Sequence, residues 1–244
     1  MRNDLKFNPD GKLYLRKSMI ESYNFCPYQF RRAWIEGVQQ EANYKMIIGT
    51  RFHEFAFWFF DVCQAVPCES WEEFIPSAFY PYEQEMVAWF IEKERERFYQ
   101  CNQDYELFMP IAREIKLEDT ELVLTGTCDR FDWYDKEKGH IAVTEYKTGA
   151  SYDERSIINQ LVFYKLIWEN NIGLGDIRYL RYINPRRKDY KIIPLPMNCE
   201  DKVYLNISAL RKAMREDIFP RRCSEVKHII CGLCSAEECG VYDS

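Results

Sequence analysis

No stretch of this sequence is apolar for long enough to cross a bilayer. FHEFAFWFFDVCQAV is interrupted by Glu54 and Asp61, whereas a spanning helix needs about 20 predominantly apolar residues. The N-terminus, MRNDLKFNPDGKLYLRKS, is polar and lacks the apolar region of a secretory signal. A cytoplasmic protein without a membrane partner is expected, and in that compartment ten cysteines do not make a disulfide framework. No internal repeat, low-complexity linker or RNA-binding module is visible. Positive charge is not in excess either: a net charge of −6 gives no global attraction to nucleic acid.

What is present is a 244-residue chain with 47% hydrophobic and 16% aromatic residues, enough for one sizeable core with a helical annex. The charge is unevenly spread. Between Asn171 and Lys227, 13 Lys/Arg stand against 7 Asp/Glu, a local +6 that leaves −12 for the remainder. NPRRKDYK reads as a solvated hairpin or as a basic strip suited to a phosphate backbone.

Ser18 is a candidate cap for a short helix reaching Phe25, and Pro27 suits the first turn of the next, which runs to about Glu36 before Gly37. MIIGTRFHEFAFWFFDVC reads as a buried helix, PSAFYPYE as loop, and EQEMVAWFIEKERERFYQ as an amphipathic helix with charges at its end. The period then changes. FMPIAREIKLE, LVLTGTCDRFDWYD and HIAVTEYKTG read as a three-stranded meander turning at DT and DKEKG. DERSIINQLVFYKLIWENN is a helix capped by Asp153 or Ser151. DIRYLRYIN and YKIIPLP are further strands, and CEDKVYLNISALRKAMRED is the last helix before a Cys-rich tail. The class is α+β or mixed α/β.

HIAVTEYKTG carries Glu145 and Lys147 two residues apart, hence on one face at the strand's end. On the preceding strand Asp129 and Asp132 are three apart and face opposite sides, so one joins the Glu145 face. His53 stands in a buried aromatic helix. An imidazole, two carboxylates and an amine form a workable divalent-metal centre. Carboxylate oxygens suit Mg²⁺ or Mn²⁺, and a His ligand favours Mn²⁺. Such a centre activates water and polarises a phosphoryl group, with the lysine orienting that water or neutralising developing charge. Taken singly, a strand-end Glu-x-Lys is more often a surface ion pair than a catalytic couple, and a lone His on an apolar helix is more often a hydrogen-bonded core residue. Glu114 reads as a structural ion pair, or as a group supporting the site from behind, and Asp132 as structural.

Together these segments resemble the RecB-type branch of the PD-(D/E)XK nuclease superfamily, in particular the CRISPR-associated RecB-like iron–sulfur exonucleases. YNFCPYQF, GTRFHE, GTCDRFD, TEYKTG, NQLVFY and CGLCSAEEC follow the family's order. The resemblance implies a restriction-endonuclease-like core sheet flanked by helices, in a single domain over 1–244. Residues 1–100 would be mainly helical, 105–198 the nuclease core, and 199–244 the last helix and cluster tail. It implies His53, Asp129 and Glu145 as metal ligands, Lys147 as the catalytic lysine, and Gln160 and Tyr164 as a helix pair at the site. Four residues apart, these two share a helix face, which a core reading also accommodates.

Cys231, Cys234 and Cys239 lie in the tail and Cys26 far upstream. Four thiolates hold either zinc or a [4Fe–4S] cluster. The resemblance implies the cluster, although the C-x2-C-x4-C spacing is one residue shorter than it leads one to expect. Cys223 could replace Cys26 in a local site. The other cysteines read as small buried hydrophobes.

The function expected from the resemblance is a metal-dependent DNA exonuclease, preferring single strands and working 5′ to 3′, in CRISPR spacer acquisition or DNA repair. Two alternatives are a catalytically silent DNA-end-binding or assembly subunit, with helicase or CRISPR adaptation partners, and a nuclease of the same core acting on RNA.

Overall fold

The computed structural model describes residues 5–38, 44–150, 153–222 and 234. Its helices are α1 (Lys17–Phe25), α2 (Pro27–Phe30, continued by a π-helical turn at Arg31–Ile35), α3 (Tyr44–Val62), α4 (Pro81–Gln100), the single turn α5 (Tyr105–Phe108), α6 (Glu154–Asn171) and α7 (Cys199–Glu216). A 3₁₀ segment covers Cys68–Phe74. The strands β1 (Ala112–Asp119), β2 (Leu124–Asp135), β3 (His140–Tyr146), β4 (Asp176–Asn184) and β5 (Asp189–Pro194) form one sheet in that spatial order. This is the mixed α+β class that the pattern of elements implies, with the helix-flanked sheet that the resemblance implies. Two compact units account for the described residues. One is drawn from Met1–Glu41, Glu118–Gly126 and Asn198–Ser244, the other from Ala42–Leu117 and Thr127–Met197.

In the second unit, β2–β3 and β4–β5 pair antiparallel while β3–β4 pair parallel. A parallel pair needs a long crossover, and α6 supplies it. Asp153 starts this helix, its carboxylate accepting from the Arg155 N–H at 3.1 Å. Gly175 must be glycine where β4 begins: its φ is +66° and a Cβ would lie 2.6 Å from the Ile141 side chain. The core of the unit is aromatic. Phe52, Phe55 and Phe59 of α3 pack edge-to-face on Phe90 of α4, and Trp71 joins them through Phe59. Burying each such ring contributes about 2–3 kcal/mol.

The charges toward the end of α4 are not all solvated. Glu94 and Arg97 are buried, tied to one another at 2.7 Å and to Arg130, Asp132 and Arg181. Each charge meets an opposite one, which is the condition for burying any of them.

In the first unit, Leu15 bridges Leu124, Phe30 stacks on Phe219 at 5.7 Å, and α1 packs on α7. Three boundaries differ from the sequence reading. Helix α1 begins at Lys17, so Ser18 lies inside it rather than capping it, because the chain turns helical as soon as the Leu15 bridge ends. Strand β1 begins at Ala112, after the α5 turn and Pro110, rather than at Phe108. Strand β2 begins at Leu124, because the Asp119 carboxylate accepts from the Glu121 and Leu122 N–H groups and Val123 is left-handed at φ +50°. The alternative cap Ser151 lies outside the described residues.

Candidate active site

The β2–β3 register pairs Arg130 with Thr144 and Phe131 with Val143. Continued by one residue, it sets Asp129 opposite Glu145, on one face of the sheet. Arg130, Asp132 and Thr144 alternate to the other face, where they meet the buried ion network. Asp132 is therefore structural, as its place in the sequence suggested.

Helix α3 brings His53 to this end of the sheet. Its Nδ1 lies 3.4 Å from Asp129 Oδ1 and 3.4 Å from Glu114 Oε1. Ligand atoms of His53, Glu114 and Asp129 all fall within 4.8 Å of one another. The second Asp129 oxygen is fixed by the Tyr146 N–H at 2.7 Å. Glu145 is buried beside this group and paired with Lys147 Nζ at 2.6 Å, while the Lys147 side chain stays 35% exposed. Gly49, one helical turn before His53, lets α3 pass the strand exit, since a Cβ there would lie 3.2 Å from Thr148 Oγ1. His53 and Glu114 line an open cleft of about 710 Å³ with Gly49, Thr50, Glu54 and Phe57.

The electrostatics are those of a site short of positive charge. Burial raises the Asp129 carboxyl, and the charge of Glu145 raises it further, against the pull of His53 and the Tyr146 N–H. Burial opposes a charge on His53, but its contacts to Asp129 and Glu114 and the charges of Asp129 and Glu145 outweigh it. They push its pKa up to about 10. Clustered acids that cost energy to bury, joined by one imidazole, form a donor set that suits a divalent cation.

Glu114 belongs to this cluster, which its sequence context did not reveal. It is a non-glycine residue at φ +43° within a strand, and such left-handed strain collects at functional sites. The one available signal was its place on the strand before GTCDRFD.

Gln160 and Tyr164 are buried on α6, and Trp168, another turn along the same helix face, stacks on Phe131 at 4.0 Å. Because Phe131 is two residues from Asp129, that helix face lies over the Asp129 side of the sheet. Both polar atoms of the Gln160 amide are buried without a hydrogen bond among the described residues. In the other unit Cys26 and Cys234 are both buried, and Cys234 packs against Phe25, Tyr28, Ala33 and Val38, residues on either side of Cys26. Cys223, Cys231 and Cys239 lie outside the described residues.

The sequence profile of the PD-(D/E)XK nuclease superfamily matches residues 17–239. The chain belongs to that superfamily. Among solved structures, one described as a "putative exonuclease" from Eubacterium rectale matches at 12% identity with a TM-score of 0.50, over 86% of this chain and 84% of that chain. That likeness speaks for the fold. No curated protein matches the chain. Nucleases of the PD-(D/E)XK superfamily use divalent metals, and the cluster of His53, Glu114 and Asp129 is of the kind that holds one. None of the described helices is long and apolar enough to cross a membrane.

Proposed function

We propose that this PD-(D/E)XK protein is a metal-dependent deoxyribonuclease that degrades DNA from an end, with single strands preferred and 5′ to 3′ polarity. The observation that carries the reading is the convergence of His53, Glu114 and Asp129 beside the Glu145–Lys147 pair. His53, Asp129 and Glu145 would hold Mg²⁺ or Mn²⁺, with Glu114 a further ligand. When bound, the ion lowers the pKa of a water and polarises the phosphodiester. The Tyr146 N–H fixes one Asp129 oxygen, which leaves the other aimed at His53. Lys147 can turn from Glu145 toward the open side, where its ammonium orients the attacking water and balances charge on the phosphoryl oxygens. Gln160 and Tyr164 contribute from the helix over the Asp129 face, and the unmet amide of Gln160 suits a polar contact made when substrate is bound.

The proposal includes a structural [4Fe–4S] cluster on Cys26, Cys231, Cys234 and Cys239, with zinc as the alternative occupant. The packing of Cys234 among the neighbours of Cys26 supports it. The proposal takes the 244 residues as one cytoplasmic nuclease domain, serving CRISPR spacer acquisition or repair by its resemblance to the CRISPR-associated RecB-like exonucleases.

Incubation of end-labelled single- and double-stranded DNA and of RNA with anaerobically purified protein, with Mg²⁺, Mn²⁺ or EDTA, tests this. Shortening of linear single strands from the 5′ end, abolished by EDTA, is expected. Efficient cutting of a closed single-stranded circle would overturn the end requirement, and absence of any metal-dependent cleavage would overturn the enzyme.

A further inference from the structure

Beside the cleft at His53, on the same helix, lies a second concavity of about 380 Å³ that the metal site does not use. Tyr44, Lys45, Tyr82, Arg186 and Lys188 line it, over a floor that includes Ile48 and Met86. Tyr44 and Tyr80 are 54% and 55% exposed and Tyr82 is 37% exposed, three large rings together at the surface, with the Arg51 guanidinium 5.9 Å from the Tyr80 ring centre. The rings are ordered with respect to one another. Tyr80 and Tyr82 stack with an interplanar angle of 8°, and Tyr44 stands edge-on to both, its hydroxyl against that of Tyr82. Lys45, Arg186 and Lys188 are exposed and make no ion pair with any described residue. Among the described residues, Glu85 is the one acid lining the concavity.

Asn184 ties this place to the candidate site. It is buried at the end of β4; its side-chain amide donates to the Gly149 carbonyl at 3.0 Å, and its side-chain oxygen accepts from the Arg187 N–H at 3.1 Å. The basic turn at residues 185–188 is thereby held at the strand exit that carries Lys147, whose N–H bonds to the Ile183 carbonyl at 2.9 Å. Along α3, Lys45 and His53 are eight residues apart, a span of about 12 Å at the helical rise. Exposed aromatic planes beside exposed cations, next to a phosphodiester-cutting centre, match the chemistry of an unpaired strand. Bases stack on the rings and phosphates meet the cations. A duplex keeps its bases stacked inside and cannot use the rings.

We infer that the Tyr44–Tyr80–Tyr82 cluster and the Lys45, Arg186 and Lys188 cations form a binding track for single-stranded DNA that feeds the His53 cleft. The inference rests on the nuclease reading for its direction but not for its test, because binding is measured without cleavage.

Fluorescence anisotropy with labelled dT20 in EDTA, over a range of salt, is compared for the parent, Tyr44→Ala/Tyr82→Ala, Tyr82→Phe and Lys45→Gln/Arg186→Gln. Thermal melting checks that each variant is folded. The double alanine variant is expected to bind about tenfold or more weaker with an unchanged salt slope. Lys45→Gln/Arg186→Gln is expected to lose about 1.4 from the slope of log affinity against log salt, about 0.7 per phosphate contact. Tyr82→Phe is expected to bind as the parent does, and if it loses as much as the alanine variant, the hydroxyl contact rather than stacking is responsible and the inference fails. Alanine and glutamine variants that bind within twofold of the parent while Mn²⁺-dependent cleavage persists would overturn the track alone. A parent that binds dT20 but never cleaves would overturn the nuclease reading and leave the track standing. Tighter binding of U20 or of a 20-base-pair duplex than of dT20 would overturn the assignment to single-stranded DNA.

Discussion

At the residue scale, the decisive feature is two acids opposite one another on neighbouring strands. Asp129 and Glu145 repel, and burial raises the cost of that repulsion, so the Asp129 carboxyl is pushed upward and His53 is pushed toward its charged form. The arrangement is unfavourable for a merely structural purpose, and it is relieved by a cation. Asp129→Asn and Glu145→Gln are therefore expected to stay folded while cleavage falls on the order of a hundredfold or more. Gel assays with end-labelled DNA and a melting curve check this, and a parental rate in Glu145→Gln would remove that residue from the site. Lys147→Met and Glu114→Gln should behave differently from one another. The first is expected to bind Mn²⁺ like the parent in calorimetry and still fail to cut. The second is expected to lose about ten- to a hundredfold in Mn²⁺ affinity. Undiminished Mn²⁺ affinity in Glu114→Gln would return Glu114 to the role of a structural partner for His53.

At the scale of elements, the two faces of β2 do different work, and this decides what can be read from sequence. The i, i+2 rule on TEYKTG placed Glu145 and Lys147 on one face because both lie on one strand and no tertiary information was needed. The aromatic helix around His53 and the strand at Asp176–Asn184 were legible for the same local reason. Glu114 was not, since its left-handed backbone breaks the alternation that would have aimed it. Nor was the partnership of Glu94 with Arg130, 36 positions away on another element. Burial by itself would raise the Asp132 carboxyl, but Arg130, Arg181 and Arg97 outweigh it and hold the pKa at about 2. An unfolded aspartate titrates near about 3.9. Because the folded value is the lower one, the stabilisation is complete above about pH 4 and lost as pH falls toward 2, by about 2–3 kcal/mol. Urea melts between pH 5 and 2.5 should show this acid limb, flattened in Asp132→Asn. Arg130→Met, which takes from Glu94 and Asp132 a fully buried partner and leaves them to Arg97 and Arg181, is expected to destabilise by about 3 kcal/mol at neutral pH. A change below 1 kcal/mol would mean the network is not holding α4 to the sheet.

At the scale of the whole molecule, the question is what holds the two ends of the chain in one unit. The stretch from Cys223 onward has too little apolar content to fold alone. Yet Cys234 is buried, among residues that flank Cys26 in α1, α2 and the segment after them. A thiolate-bound cluster or zinc ion would close a loop from residue 26 to residue 234. Closure cost rises only as the logarithm of loop length, so a clip spanning most of the sequence is feasible. A metal site absent from the unfolded chain adds its binding energy to folding. Cys234→Ala is accordingly expected to lower the melting temperature by about 10 °C, because at this chain length each kcal/mol moves it by about 2–4 °C. The same variant should lack the iron and sulfide expected of the anaerobic parent, while Cys101→Ala, at a residue whose N–H donates to the Arg97 carbonyl and whose side chain packs on the aromatic core, should match the parent in both. Hydrolysis needs no electron transfer, so DNA cleavage by Cys234→Ala should persist below its own melting point. Stoichiometric zinc without iron in the anaerobic parent would replace the cluster with a zinc clip. A parent with neither metal, and a Cys234→Ala variant that melts with it, would leave apolar packing around Cys234 as all that holds the tail.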